Sequence, residues 1–194
     1  TQMLESMTQN PRPTRAEVSD VANAIYDGTS VIMLSGESAA GKYPIEAVKT
    51  MVNIAVNTEN SIDYNTAFNA DKYALEHNIR VAVCASAHSA AEYLDAQAIV
   101  VMTRTGNTAR ILSYFHPECP VIAATIEPVG RRQLNLTWGV TPIDAEDLTS
   151  ADSFVEYAIA KARESRVVKK GEKIIVILSS CVGIDNDTMR ICTV

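Results

Sequence analysis

VIMLSGESAAGKYP, Val31 to Pro44, sets four consecutive apolar residues against a glycine-punctuated turn that carries one carboxylate, Glu37. An unbroken apolar run is the pattern of a strand covered on both faces, and such strands belong to parallel sheets. Gly36 stops the run and Pro44 stands where a helix begins. Ser35, Glu37 and Ser38 are therefore expected at the carboxyl end of a strand, where open sheets and barrels hold their ligands. Gly36 to Lys42 also spells GxxxxGK, the opening of a phosphate-cradling P-loop. Tyr43 stands where that loop needs a Ser or Thr hydroxyl, and Glu37 would set a negative charge among the phosphates, so the match is set aside as an accident. On spacing alone the stretch also reads as a plain turn with a solvated glutamate.

Working outward, Thr1 to Met7 is expected to be the outlet of a strand and the turn after it. Asn10-Pro-Arg-Pro13 is a rigid extended link, because a residue before proline is pushed out of the helical region. Thr14 with Glu17 makes a capping box, Val18, Val21, Ala22 and Ile25 share a helix face, and Gly28 closes that helix. After the Val31 strand, Pro44 starts a second helix in which Ile45, Val48, Val52 and Ala55 recur at helical spacing. These segments make two consecutive βα units. From Glu59 to about Asn69 the apolar pattern lapses, which places a domain boundary at 62/63.

Beyond it, strands are expected at Ala98 to Met102, Pro120 to Ile126, Val140 to Ile143, Lys173 to Leu178 and Met189 to Val194. Helices fall between them: a stretch holding Ala85 to Leu94, then Thr108 to Phe115, Arg131 to Leu136, and one capped by Thr149 with Asp152. Strands alternating with helices mean crossovers and a mostly parallel sheet, with one reversed edge strand at the end.

The chain has 194 residues, 47% of them hydrophobic, enough for one large or two modest domains. A net charge of -6 and a pI near 5.1, with no long basic run, argue against nucleic acid or an anionic membrane surface as partner. No apolar run approaches the ~18 residues of a membrane span, and no signal-peptide pattern opens the chain, so a cytoplasmic location is expected. Cys84, Cys119, Cys181 and Cys192 are far apart and read as buried thiols. His77, His88 and His116 share no ligand spacing with them, so no metal site is expected.

One further loop carries chemistry. Thr103-Arg-Thr-Gly-Asn-Thr108 leads from a strand into a helix, gathering hydroxyls, a guanidinium and a glycine where unpaired N–H groups and the macrodipole attract anions. The same residues read equally as a helix capped by Thr105 or Asn107 with its neighbours in solvent. Arg131 and Arg132 would complete an anion pocket or stand solvated, and Trp138 reads as a packing residue.

LSGESAAGKYP (Leu34 to Pro44), preceded by NPRPTRAEVSDVANAIYDG (Asn10 to Gly28) and TQMLESM (Thr1 to Met7), resembles the last part of the pyruvate kinase barrel. The remainder resembles, less strictly, that family's C-terminal domain. Where the family usually reads GET this chain has Gly36-Glu37-Ser38. The resemblance implies an α/β fold: the last βα units of a TIM (β/α)8 barrel in residues 1–62, then an open, mostly parallel α/β sandwich in residues 63–194. It implies transfer of phosphoryl from phosphoenolpyruvate to ADP, then protonation of the enolate to pyruvate, a step of glycolysis using Mg²⁺ or Mn²⁺ and K⁺. Thr1 would lie beside the substrate, while Ser35 and Glu37 would hold the hydroxyl and water network where the proton arrives.

The family's KIEN, ARGDLG and NFSHG runs, with the catalytic lysine, the metal-binding carboxylate and the K⁺ support, do not occur in this chain. This polypeptide alone is thus expected to be inactive and to hold no metal. The loop formed by Thr103, Arg104, Thr105, Gly106, Asn107 and Thr108 resembles the family's effector loop, which grips the phosphate of an activating sugar phosphate. Before the last strand the chain reads Ser179-Ser-Cys-Val-Gly-Ile-Asp-Asn-Asp187, where fructose-bisphosphate-responsive members are rich in Gly with an aromatic and a basic residue. Asp185 and Asp187 would repel a second phosphate, so a monophosphate such as a hexose or pentose phosphate or AMP is expected, or no effector. A homotetramer is implied, with Arg15 and the second domain at subunit contacts. The other reading is a freestanding phosphate-sensing α/β module without catalysis.

Overall fold

The computed structural model describes residues 1–64, 78–145, 150–180 and 186–194. The chain divides into two compact units, Thr1–Ala67 and Phe68–Val194.

In the first unit a 3-10 turn, Glu5–Thr8, precedes α1 (Arg15–Tyr26), α2 (Gly36–Ala39) and α3 (Pro44–Glu59). Thr14 caps α1 in the expected box with Glu17, and Pro44 opens α3 where its missing N–H costs nothing. Leu4, Met7, Val21, Ile25, Ala47 and Met51 form the core, with Ile32 and Leu34 packed against it. The turn expected after the strand outlet at Thr1 to Met7 is the 3-10 turn Glu5–Thr8. At Val31 to Leu34, where a strand is expected, the chain pairs with no strand among the described residues. Val31 and Met33 are 49% and 51% exposed while Ile32 and Leu34 turn inward.

The second unit opens with α4 (Ile79–Tyr93), followed by β1 (Ala98–Met102), α5 (Asn107–Tyr114), β2 (Val121–Thr125), α6 (Pro128–Leu134) and β3 (Val140–Asp144). It ends with α7 (Ala151–Glu164), β4 (Lys173–Leu178) and β5 (Thr188–Thr193). The sheet runs β3-β2-β1-β4-β5, parallel throughout except for the last pair, β4 with β5. The apolar runs are unbroken because both faces are covered. Ile99, Val101, Val121, Ala123, Ile175 and Ile177 meet α4, α5 and α6, while the alternate residues Val100, Ile122 and Val176 meet Phe154, Ala158 and Ala162 of α7. The third helix begins at Pro128 rather than Arg131. The expected cap at Thr149 lies outside the described residues; Ser150 caps α7 in a reciprocal pair with Ser153. Burial pushes the thiol of Cys84 up to about 12 and of Cys119 to about 11, so both stay protonated at neutral pH.

Candidate functional site

Two places gather the residues singled out in the sequence. In the first unit Glu37 is fully buried on the single turn of α2. Its Oε1 accepts from the Leu4 amide at 3.1 Å and its Oε2 from the Ser35 amide at 2.7 Å. Burial alone would raise its carboxyl, but hydrogen bonds from its own amide and those of Ser35 and Leu4 outweigh burial and hold it below the ordinary glutamate value. A buried carboxylate is tolerable here because both of its oxygens accept hydrogen bonds from backbone amides. Ser35 is half-buried and Thr1 exposed, at the head of the segment whose Leu4 amide meets Glu37. The solvated-glutamate reading is thereby excluded.

So is the P-loop. Its second glycine, Gly41, has a packing reason: a Cβ there would lie 2.6 Å from the Glu37 carbonyl oxygen and 3.1 Å from the Thr8 Cα. Lys42 donates its amide to the Thr8 carbonyl at 2.9 Å, and the buried Glu37 carboxylate occupies the turn. A phosphate would meet a fixed negative charge.

In the second unit the loop from Thr103 to Thr108 joins β1 to α5. The Thr103 hydroxyl accepts from the Gly106 amide at 3.0 Å, closing a tight turn. Gly106 is the N-cap residue of α5 at φ +87, and a side chain there would press on Arg110 and Leu134. Neither Thr105 nor Asn107 caps the helix, since α5 opens without any side-chain cap bond. The capping alternative fails for that reason. The loop carbonyls are braced from outside: Arg104's by the Thr125 hydroxyl and Thr105's by Arg110, both at 3.0 Å. Arg104, Thr105 and Asn107 are exposed, whereas Thr103 and Thr108 are buried. The site is thus a braced backbone turn at an uncapped helix start, with one guanidinium and one hydroxyl at its mouth.

Asn186, which sequence reading passed over, also reaches this loop: its amide nitrogen donates to the Met102 carbonyl at 2.6 Å and to the Thr108 hydroxyl at 3.1 Å. Asp187 accepts from the amide and hydroxyl of Ser180 at 2.7 and 2.5 Å, and those bonds hold its carboxyl below the usual value. Asp185 lies outside the described residues. Arg131 pairs with Asp144 and is not offered to the loop. Trp138 packs on His116, ring centroids 4.5 Å apart.

Residues 81–192 match the family described as pyruvate kinase, alpha/beta domain, and residues 1–48 match pyruvate kinase, barrel domain. A pyruvate kinase of Clostridium acetobutylicum is 47% identical over 176 residues, 91% of this chain and 37% of the relative. One from Bacillus licheniformis is 44% identical over 183 residues, 94% of this chain and 31% of the relative. The chain therefore spans 31% to 37% of the length of these curated relatives. Among solved structures, that of a pyruvate kinase from Cryptosporidium parvum matches with TM-score 0.91 and 35% identity, covering 100% of this chain and 39% of that one.

Proposed function

The chain belongs to the pyruvate kinase family, and on that premise we propose that it is the C-terminal portion of a cytoplasmic enzyme transferring phosphoryl from phosphoenolpyruvate to ADP. In this reading residues 1–62 end the catalytic barrel, and residues 63–194 carry the effector site and the subunit contacts of a homotetramer. No helix among the described residues is long and apolar enough to cross a membrane.

The supporting observation in the barrel part is the anchoring of Glu37 by the Leu4 and Ser35 amides. A carboxylate held below its ordinary value is ionised at neutral pH, so it accepts hydrogen bonds and does not deliver a proton. Its work is to fix Ser35 and the opening segment, leaving the hydroxyls of Ser35 and Thr1 as the groups that pass a proton through water to the enolate. Mg²⁺ or Mn²⁺ and K⁺ neutralise spreading charge in such a transfer. No group of three or more His, Cys, Asp or Glu side chains among the described residues is placed to hold a metal ion.

The 194-residue chain alone is expected to show no turnover in an assay coupled to lactate dehydrogenase. Pyruvate formation above a buffer control would overturn that assignment. A reading frame of some ~470 residues, as a barrel plus an α/β domain requires, is expected to encode the active enzyme.

In the second unit the supporting observation is the uncapped start of α5 behind the Thr103–Gly106 turn. The ligand expected there is a monophosphate, a hexose or pentose phosphate or AMP, because Asp187 already takes the Ser180 donors and adds a negative charge beyond the loop. Replacing Thr105 and Thr108 together by Ala is expected to abolish activation of the complete enzyme by such a ligand. Unchanged activation would return the loop to a structural role. A freestanding phosphate-sensing module is the second reading, favoured by a sheet unit that covers both its faces with its own helices. A reading frame beginning just before Thr1 would select it.

A further inference from the structure

Glu17 accepts more hydrogen bonds than the cap of α1 requires. Its Oε2 accepts from the amide and hydroxyl of Thr14 at 2.7 and 2.9 Å, which closes the capping box. The same oxygen accepts from the Ser6 hydroxyl at 2.6 Å, and Oε1 accepts from the Ser6 amide at 2.7 Å. The cap bonds thus run to Oε2, while Oε1 serves a segment eleven residues upstream.

That segment is the one that opens with Thr1. Two residues before Ser6, the Leu4 amide donates to Glu37, whose other oxygen holds the Ser35 amide. Two residues after it, the Thr8 carbonyl accepts from the Lys42 amide at 2.9 Å. Glu17 is the middle of these three pegs, which come from α1, α2 and the stretch before α3. Leu4 and Met7 are fully buried, but burial is non-directional and leaves the segment free to roll about its apolar anchors. Short hydrogen bonds to a charged acceptor are directed and fix that rotation. Because Glu37 is shared by the Leu4 and Ser35 amides, a shift of the segment reaches Ser35 as well as Thr1.

We propose that Glu17 is a positioning residue for the proton-transfer step: through Ser6 it holds the Thr1 to Thr8 segment, and with it the hydroxyls of Thr1 and Ser35, in register with Glu37. The proposal rests on the reading of Thr1 and Ser35 as the groups that pass the proton. Glu17 itself touches no substrate. A Glu17 that only capped α1 would need Thr14 and not Ser6.

The test uses the complete enzyme and follows exchange of the pyruvate methyl hydrogens with deuterated water by NMR, under the cation conditions of turnover. In that exchange a methyl C–H bond breaks, its proton leaves through the hydroxyls to water, the electron pair stays on the enolate, and a deuteron returns to the same carbon. Glu17→Gln keeps the size of the side chain but turns one acceptor into a donor. It is expected to lower the maximal exchange rate per folded enzyme at least about tenfold, as a small misplacement of reacting groups does. The pyruvate concentration giving half-maximal exchange is expected to move less than about twofold, since no contact to substrate is lost. Ser6→Ala is expected to slow exchange at least about threefold. Thr14→Ala, which removes bonds of the cap only, is expected to lower the urea midpoint and to leave exchange within about twofold. Unchanged exchange in both Glu17→Gln and Ser6→Ala, or equal slowing by Thr14→Ala and Ser6→Ala, would overturn the proposal. Ser35→Ala separates this inference from the reading beneath it. Intact exchange in that variant removes the proton-passing reading and the inference together, whereas slowed exchange there with normal exchange in Glu17→Gln defeats the inference alone. Should Glu17→Gln fail to fold, the contrast of Ser6→Ala with Thr14→Ala decides the matter.

Discussion

Glu17 is the residue on which the first unit's acid stability turns. It accepts from the amide and hydroxyl of Ser6 at 2.7 and 2.6 Å and from those of Thr14 at 2.7 and 2.9 Å. Desolvation works against its charge, but these bonds outweigh desolvation and bring its carboxyl to about 2 from an ordinary 4.5. A depressed folded value means that the stabilisation is fully present above about pH 4.5 and drains away as pH falls toward 2. After allowance for solvent around a part-exposed group, Glu17→Gln is expected to cost about 1–2 kcal/mol at pH 7 in urea unfolding. The gap between the two chains should narrow steadily below pH 4.5; a gap independent of pH would refute the assignment. The capping half of this arrangement was legible from Thr14 and Glu17 at helix-start spacing. The Ser6 half was not, because it depends on how the Asn10 to Pro13 link folds back.

At the scale of elements, continuous apolar runs marked β1, β2 and β4, whereas Val31 to Leu34, which looks alike in sequence, pairs with no strand among the described residues. The difference is partnership: three runs have ladders on both sides, and the fourth has none among the described residues. Hydrophobic pattern reports burial, and burial of one face is compatible with an extended segment lying on a core. The loop after β1 was legible as a strand-to-helix junction, and its backbone turn follows from Gly106. The fate of its hydroxyls was not legible, since the partner of Thr108 lies 78 residues away and the partner of Met102 lies 84 away.

Helix α3 shows the same lesson from outside. Ala47 and Met51 enter the core, while Ile45, Val48, Val52 and Val56 form a second stripe that is 63%, 47%, 52% and 49% exposed. A helix apolar on two faces leaves a patch that binds hydrophobic dyes. The pair Val48→Lys and Val52→Lys is expected to cut 1-anilinonaphthalene-8-sulfonate fluorescence of the folded chain by more than half. The two changes together should cost less than about 1 kcal/mol, as surface changes do. Dye binding unaltered by both substitutions would place the patch elsewhere.

Over the molecule as a whole, stability is unevenly founded. Among the described residues the sheet unit has an apolar cluster on each face, one built on Leu112 and Ile175 and the other on Phe154 and Val176, whereas the first unit has one smaller cluster. That asymmetry follows from sequence: four parallel strands need helices on both faces, and the chain supplies α4 to α6 for one and α7 for the other.

One detail of the sheet reaches further than its size suggests. Pro142 sits on the border strand β3, opposite Ala123, and its absent N–H belongs to the row pointing away from β2. Fibrils recruit molecules at both margins of a sheet, and here one margin has a gap in its donors. Prolonged incubation should leave the chain unreactive to thioflavin T, while Pro142→Val, which restores the missing donor, should yield thioflavin-positive aggregates. On that account a single ring nitrogen blunts one margin of the sheet against strand addition.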